Sequence, residues 1–236
     1  MPKQSAFYQE LQTMLEKPGC PLCHVAEKVG RAYLENLLWA SVNDPELRGK
    51  LDESLGFCGR HSRDLFTFSG ERLGTAIIQQ AMLKEALRRL HRAQPPGQRS
   101  VFQRIQVGLK REGEMAAEAA ALPPKGACPV CQHQHKWVKR SRDELLAHLV
   151  GDLDAPLRAA GGLCWDHLDQ ALATGDAQTF AALVELHAGL WEETIGHLGE
   201  FIRKRDYRFS HEPVTEAEAS SMQRAIAILT GEYPPP

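Results

Sequence analysis

Apolar residues recur at helical spacing along most of the chain. In residues 24–42 they fall at Val25, Val29, Tyr33, Leu34, Leu37, Leu38 and Val42, the spacing of one helix face. The same spacing, interrupted by proline and glycine, predicts helices over residues 5–16, 24–42, 45–55, 58–69, 71–93, 99–121, 132–150, 154–160, 164–173, about 176–205 and about 214–230. No segment shows the sustained alternation of a strand, so the sequence predicts an all-α fold.

Composition narrows the class of protein. The chain has 236 residues, of which 43% are apolar and 25% charged, as in ordinary globular proteins. Its formal net charge of −2 excludes a uniformly basic nucleic-acid coat protein. We find no secretory signal and no apolar run long enough to span a bilayer. We therefore expect a cytoplasmic protein with no membrane partner, whose six cysteines are thiols or metal ligands.

The cysteines form a motif that occurs twice. C-P-x-C at residues 20–23 is followed by G-x-C-x-x-H at residues 56–61, and the same pair of strings recurs at 128–131 and 162–167. Between Cys23 and Cys58 lie 34 residues, and between Cys131 and Cys164 lie 32. Every cysteine of the chain is used, which indicates an internal duplication.

This spacing is typical of tetrahedral zinc binding. Two ligands at positions i and i+3 converge on one ion across a tight turn or along one helical turn. Each copy supplies a Cys₃His set, which is a closed structural set with no position left for substrate. The sequence predicts two zinc ions per chain, each held within one copy of the motif. The first set is Cys20, Cys23, Cys58 and His61; the second is Cys128, Cys131, Cys164 and His167.

Other chemistry fits the same residues less well. An iron–sulfur cluster also accepts thiolates and remains an alternative. Residues 20–24 match the c-type haem attachment string, but the second copy has Gln132 where the haem motif needs histidine. A thioredoxin-like redox site would need a βαβ context, which is absent. Small buried cysteines without metal would not explain the repeated histidine.

The duplication predicts an architecture of two tandem pseudo-symmetric repeats, each stapled by a Cys₃His metal site. We assign residues 1–93 to the first repeat, 94–127 to a linking helix with Pro-rich breaks, 128–210 to the second repeat, and 211–236 to a C-terminal helix and disordered tail. The width of the apolar stripes favours one packed body over two lobes. The four tryptophans, Trp39, Trp137, Trp165 and Trp191, are expected in the core or covering the sites.

Charge is unevenly distributed. Residues 84–111 contain eight basic residues and one acid, Glu85. Such a stretch is either a solvated helix face or an electrostatic footprint for phosphate backbones, and no base-reading motif accompanies it. The residues that would contact nucleic acid are Arg88, Arg89, Arg92, Arg99 and Arg104. The pairs Glu144/His148 and Glu193/His197 are interpreted as helix-surface pairs.

The doubled motif, with leucine-rich helices between its parts, resembles a family of uncharacterised bacterial proteins of about this length. The resemblance covers residues 15–205 and rests on the eight Cys and His residues named above. It implies a single module and carries no activity.

No nucleophile elbow, phosphate loop or HExxH string is present. We therefore expect a non-enzymatic zinc-binding helical protein that acts as an interaction or scaffold protein with a protein partner. The alternatives are a nucleic-acid-binding regulator that uses residues 84–111, and a thiol-based redox or metal sensor. The sequence does not indicate the oligomeric state.

Overall fold

Several helices of this chain begin where a short polar side chain accepts a hydrogen bond from a free backbone N–H group, or where proline, which has no N–H, is the first helical residue. Asp44 accepts a hydrogen bond from the N–H of Leu47 at 2.8 Å, and Pro45 is the first helical residue. Thr215 and Glu218 form a reciprocal capping box,. The computed structural model describes residues 5–40, 44–68, 72–93, 122 and 124–233, and within these ranges the regular structure is helical, without strands.

The helices are numbered here in chain order. They are α1 Ala6–Leu15, α2 Pro21–Ala40, α3 Pro45–Ser54, α4 Gly59–Leu65, α5 Arg72–His91, α6 Pro129–His148, α7 Asp154–Ala160, α8 Trp165–Leu172, α9 Ala177–Arg203, α10 Glu216–Ala219 and α11 Ser221–Thr230. A π-helix, Leu149–Leu153, connects α6 to α7. The all-α prediction is confirmed for the described residues. The expected helix over 99–121 and the tail at 234–236 lie outside them.

Several helix ends differ from the prediction. Helices α2 and α6 begin at Pro21 and Pro129, three residues before the predicted starts, because proline has no N–H to leave unsatisfied and its φ already suits the first helical position. The predicted helix near 214–230 is two helices that meet at Ser220. The C-P-x-C strings are therefore the first turns of helices and not turns that precede them.

The described chain divides into two compact units, where the sequence favoured one packed body. The first unit takes residues up to Val29 and from Gln134 onwards. Its core combines residues from both ends of the chain, with Leu11 of α1, Leu22 of α2, Leu145 of α6 and Leu183 of α9 almost fully buried. This unit is thus closed by segments far apart in sequence.

The second unit comprises residues 30–133. Its core is formed by Leu34, Leu37 and Leu38 of α2, Leu47 and Leu51 of α3, Leu65 of α4, Ile78 and Met82 of α5, and Val130 of α6. The boundary between the units falls within α2 and within α6, and the apolar residues of α2 are shared between the two cores. The two tandem repeats of the sequence remain an interpretation of the motif.

Two tryptophans lie elsewhere than expected. Trp39 is 78% exposed and Trp165 is 55% exposed, so the expectation that they are core residues is wrong for these two. Among the described residues, no helix combines the length and apolar character needed to cross a membrane.

Candidate metal centres

The eight Cys and His residues of the doubled motif come together in two groups. Site A comprises Cys20, Cys23, Cys164 and His167, and site B comprises Cys58, His61, Cys128 and Cys131. In each group, one ligand atom per residue lies within 4.8 Å of all the others, and all six cysteines are free thiols. Each group could hold a metal ion. No other group of three or more Cys, His, Asp or Glu residues forms in the part of the chain described.

The pairing predicted from the sequence is wrong. Each C-P-x-C lies with the C-x-x-H of the other copy: Cys23 meets Cys164, 141 residues away, and Cys131 meets Cys58, 73 residues away. Packing explains this exchange. Leu22, inside the first C-P-x-C, belongs to the same core as Leu163 and Leu168. Val130, inside the second, belongs to the core of Leu65.

All eight residues lie at the first turns of four helices. Cys20 and Cys128 directly precede α2 and α6, while Cys23 and Cys131 are the third residues of these helices. Cys58 and Cys164 are the N-caps of α4 and α8, and His61 and His167 are the third residues. N-cap and third position lie on one side of the turn, so each helix presents two ligand atoms together. Each site is formed where two helix N-termini meet.

The distances in site A suit one small ion. The Nδ1 atom of His167 lies 3.4 Å from Sγ of Cys20, 3.3 Å from Sγ of Cys23 and 3.2 Å from Sγ of Cys164. The Sγ atoms of Cys23 and Cys164 are 3.6 Å apart. Tetrahedral zinc with ordinary bond lengths needs sulfur–sulfur separations of about 3.8 Å and sulfur–nitrogen separations of about 3.6 Å. Site A is therefore close to the size of a tetrahedral zinc site.

Site B has the same dimensions. The Nδ1 atom of His61 lies 3.2 Å from Sγ of Cys58, 3.6 Å from Sγ of Cys128 and 3.4 Å from Sγ of Cys131. The Sγ atoms of Cys58 and Cys131 are 3.7 Å apart. The two sites differ in exposure, since Cys20 and Cys164 of site A are buried and Cys131 of site B is exposed. Solvent therefore has access to the Cys131 side chain of site B.

The thiols oppose one another's ionisation in site A. Hydrogen bonds with Cys164 and Cys20 raise the pKa of the Cys23 thiol far above its ordinary value, while Cys20 and Cys23 together lower that of Cys164. Burial acts to lower the pKa of His167, but the sulfur atoms of Cys164 and Cys20 raise it to about 10. One thiolate is thus favoured at the expense of its neighbours. A divalent cation would remove that opposition by attracting every thiolate.

Site B shows the same opposition in a more open setting. Burial, and then the charge of Cys128, raises the pKa of Cys131 to about 12. Burial also acts to raise the pKa of Cys58, but the backbone N–H of His61 and the neighbouring thiols outweigh it, so the pKa of Cys58 is lowered. A sulfur atom at a helix N-terminus is stabilised as thiolate by the free N–H groups there.

Two residues that the sequence did not single out complete site A. Gly231 ends α11 with φ of +75°, and a Cβ atom there would lie only 2.7 Å from Sγ of Cys23 and 3.3 Å from Sγ of Cys164. The backbone after α11 therefore closes on the two sulfur atoms. A glycine after a helical segment indicates a helix end, but nothing in the sequence connects Gly231 with cysteines that lie far from it along the chain.

His187 of α9 fixes the segment before Cys164. Its Nε2 accepts a hydrogen bond from the N–H of Leu163 at 2.8 Å, and its Nδ1–H donates to the carbonyl of Leu183 at 2.7 Å. Both bonds can form only with the neutral ring. Gly162, with φ of +84°, lies so close that a Cβ atom would be 3.0 Å from Nε2 of His187. The imidazole thus positions the main chain that carries Cys164 without touching the thiol.

The other histidines are not part of either group. Nε2 of His24 lies 2.9 Å from the carbonyl of Pro18, so the haem-like string places its histidine outside site A. Nε2 of His148 lies 3.7 Å from a carboxylate oxygen of Glu144 on the surface of α6, as expected from their spacing. Nδ1 of His197 accepts a hydrogen bond from the guanidinium of Arg224 at 2.9 Å, and Glu193 lies 4.0 Å from the same nitrogen on the surface of α9.

Comparison with known proteins adds a family but no activity. A family model described as a family of unknown function, DUF6062, matches residues 10–236. The chain is also similar to a protein of Caldicellulosiruptor sp. (strain Rt8B.4) described as an uncharacterized 23.9 kDa protein in the xynA 3' region. The two are 22% identical over 215 residues, which cover 90% of this chain and 95% of the relative. No solved structure matches the chain.

We expect Gly231→Ala to weaken site A. Alanine would have to adopt a left-handed backbone, and its Cβ atom would collide with Sγ of Cys23,. Gly161→Ala, directly after α7, is the matched control, because its φ of +100° is also left-handed and a Cβ atom there meets nothing within 4 Å. Metal content and thermal melting of both variants are the measurements. Equal metal content and melting temperature in the two variants would contradict the close approach of Gly231 to the site.

We expect His187→Phe to lower the free energy of unfolding by about 1–3 kcal/mol, because it leaves the buried N–H of Leu163 without an acceptor. The substitution should also change the pH dependence. Burial lowers the pKa of His187 below 6.5; the hydrogen bond to Leu183 opposes this shift and the charge of Arg158 adds to it. The stability that the neutral imidazole contributes is then complete above about pH 6.5. It declines as the pH falls towards the lowered pKa, because the unfolded chain takes up the proton first.

Denaturant unfolding at pH 7.5 and 5.5 measures this effect. The stability difference between the parent protein and His187→Phe should shrink at the lower pH, and comparison of the two proteins cancels the titration of the thiols. A difference that grows at pH 5.5 would show that the folded protein binds the charged imidazole.

Proposed function

This chain belongs to the DUF6062 family, and from its own residues we propose that it is a helical scaffold protein held together by two structural Cys₃His zinc sites. The observation that carries the proposal is the convergence of eight ligand atoms, at the first turns of four helices, into two sets of tetrahedral size. A protein uses such a set to tie together segments that its core alone leaves weakly connected.

Zinc suits both donor sets better than the other metals considered. Three thiolates and one imidazole are soft and borderline ligands, which favour zinc over magnesium or calcium. An iron–sulfur cluster would have to fit several metal and sulfide atoms inside the ligand cage, which would separate the protein ligands further than the observed 3.2–3.7 Å,. These distances support a single ion in each site.

A structural role follows from the ligand count. Four protein ligands fill a tetrahedral zinc ion, whereas catalytic zinc keeps one position for water or substrate. We therefore propose a non-enzymatic role at both sites, with a protein as partner. The cytoplasm suits this proposal, because six reduced cysteines persist in a reducing compartment.

We expect two zinc ions per chain by elemental analysis. Pairs of Cys→Ser substitutions then test the pairing of ligands. Cys20→Ser with Cys164→Ser removes two ligands from site A alone and should leave one zinc, whereas Cys20→Ser with Cys58→Ser damages both sites and should leave none. Pairing within each copy of the motif predicts the reverse pattern. His135→Asn, an exposed position on α6, is the control for His61→Asn and should keep both ions.

The same preparations test whether the sites are structural. Zinc binding in small structural sites has an apparent free energy of about 10–16 kcal/mol at pH 7, much of which is folding free energy. Strong chelators should therefore lower the melting temperature together with the zinc content. An unchanged helical signal and melting temperature after complete removal of zinc would overturn the structural role.

Nucleic-acid binding by residues 84–111 is the second candidate, and the described contacts reduce the charge it would use. Glu85 pairs with Arg88 at 2.7 Å and with Arg89 at 2.9 Å, and the pKa of Glu85 is lowered by Arg89 first and then Arg88. Arg89 also donates to the backbone carbonyls of Asp52 and Glu53. Arg99 and Arg104 lie outside the described residues. We therefore rank this candidate below the scaffold.

Duplex DNA titrations at several salt concentrations decide this second candidate. Contacts with about five phosphates would give a log–log salt slope of roughly −4 to −5. Arg88→Ala, Arg89→Ala and Arg92→Ala combined should flatten that slope without loss of zinc. We expect no binding at about 0.15 M salt, and submicromolar, salt-sensitive binding there would place the regulatory role first.

A redox or metal sensor is the third candidate, and the exposure of Cys131 is the observation that favours it. The thiols of Cys20 and Cys164 are buried, whereas Cys131 is exposed. An oxidant in solution would therefore reach site B before site A.

A further inference from the structure

The longest of the described helices, α9, carries an apolar stripe that is largely exposed to solvent. Along α9, apolar residues recur at Phe180, Val184, Ala188, Trp191, Ile195, Leu198 and Ile202. After the first step the spacing alternates between four and three residues, which is the spacing of a seam between two helices. We call these seven residues the α9 seam. None of the seven side chains is charged, so a partner that covers them removes no charged seam residue from water.

The seam is exposed at five of its seven positions, while Trp191 and Leu198 are half-buried. Phe180 is 47% exposed, Val184 44%, Ile195 67% and Ile202 68%. Its core-facing neighbours, such as Leu183 and Leu186, are fully buried, so the hydrophobic surface of α9 extends well beyond the part that its own unit covers. Residues 180–202 of a helix span about 33 Å. Isolated exposed leucines need no explanation, but a continuous stripe of this length indicates an interaction surface.

We propose that the α9 seam binds the α9 seam of a second copy of this chain in antiparallel orientation. The outer positions are symmetric about Trp191: Val184 and Leu198 each lie seven residues from it, and Phe180 and Ile202 each lie eleven residues from it. The inner two positions, Ala188 and Ile195, lie three and four residues from it. A two-fold dimer requires a surface that is complementary to itself. With Trp191 on the axis, Phe180 of one copy lies opposite Ile202 of the other, and Val184 lies opposite Leu198.

A cleft beside the seam fits this register. A space of about 280 Å³ between α8 and α9 is lined by Trp165, Leu172, Val184, Ala188 and Trp191, among others. The small side chain of Ala188 leaves it open. In the antiparallel register Ile195 of the second copy lies over Ala188, so the side chain that protrudes most at the middle of the seam meets the cleft. A large side chain that enters a cavity between smaller ones is how paired helices interlock.

Aromatic residues occupy the centre of the proposed interface. The rings of Trp165 and Trp191 are stacked, with centroids 5.9 Å apart and planes 24° apart. Tryptophan near the centre of an interface, surrounded by aliphatic residues, is the usual composition of a binding hot spot. This pair also explains why Trp165 is exposed in the single chain, since the second copy would cover it.

The available area reaches the lower limit for a specific interface. At about 150–250 Å² for each aromatic side chain, the exposed parts of Trp165 and Phe180 amount to roughly 200 Å², and those of Val184, Ile195 and Ile202 add a somewhat larger area. Each copy thus offers roughly 500 Å² of apolar surface, and two copies together reach the size of about 1,000 Å² at which specific interfaces begin.

Helix α5 offers a useful comparison within the same chain. It also exposes five apolar residues that are 38–75% exposed, namely Leu73, Ile77, Leu83, Leu87 and Leu90, but Gln80 and Lys84 interrupt this face. It therefore lacks a continuous seam. Leu83 provides a matched control position, because it is as exposed as Ile195 and also lies on a helix.

The experiment measures mass in solution for the zinc-loaded full chain by light scattering after size exclusion, from about 5 to 200 μM. We expect twice the chain mass of 26.3 kDa for the parent protein and for Leu83→Glu. Ile195→Glu and Ile202→Glu should each raise the dimer dissociation constant more than tenfold. A monomeric parent protein at 200 μM, or loss of the dimer in Leu83→Glu with retention in Ile195→Glu, would overturn the proposal.

Two further measurements keep a folding defect apart from a broken seam. Helical signal and zinc content should be equal in all four proteins, because the substituted side chains are exposed and far from the ligand residues along the chain. A photo-reactive benzophenone side chain at position 195 should crosslink to the segment 184–191 of the second copy. Crosslinks to a different segment would overturn the antiparallel register even if the protein is a dimer. The interface does not depend on the proposed function of the metal sites.

Discussion

The structure depends on two places where the N-termini of two helices meet. The position of the eight Cys and His residues and the packing around them both follow from this constraint. Each helix contributes one ligand residue just before its first turn and another at its third position. The ligand atoms then point away from the helix into the space in front of it, where free backbone N–H groups favour thiolates. A cation placed there is surrounded by two helix starts and would hold both helices at their N-terminal ends, while their sides pack in the cores.

The close approach of helix N-termini restricts which residues fit in the main chain around each site. In site A, the main chain before Cys164 needs glycine at 162 because the ring of His187 lies against it, and the main chain after α11 needs glycine at 231 because two sulfur atoms lie against it. Site B is built with less enclosure, and Cys131 remains exposed. The two sites have the same kinds of ligand at similar distances, so the difference in exposure between them comes from the segments that surround them.

Much of the fold could be predicted from the sequence, because it depends on local patterns. Helical spacing predicted the positions of α1, α3, α5, α7 and α9 to within two or three residues, and the i, i+3 spacing of Cys and His identified the residues that converge. The pairing could not be predicted in the same way. Either C-P-x-C fits either C-x-x-H equally well, and the choice depends on which core receives Leu22 and Val130. Gly231 and His187 were missed for the same reason, since their contacts are set by tertiary packing.

The exchanged pairing gives the two sites an order along the chain. The ligands of site B lie between residues 58 and 131, and those of site A lie on either side of that segment, at residues 20–23 and 164–167. Site B is therefore nested within site A along the sequence. During synthesis, the inner site has all its ligands once residue 131 has emerged, while Cys20 and Cys23 must wait for residues 164–167. Closing the outer loop, about twice as long, costs roughly 0.6 kcal/mol more in chain entropy if the chain between is unfolded. If the unit that contains site B folds first, the loop that site A must close becomes shorter. Synthesis from the N-terminus therefore favours formation of site B before site A.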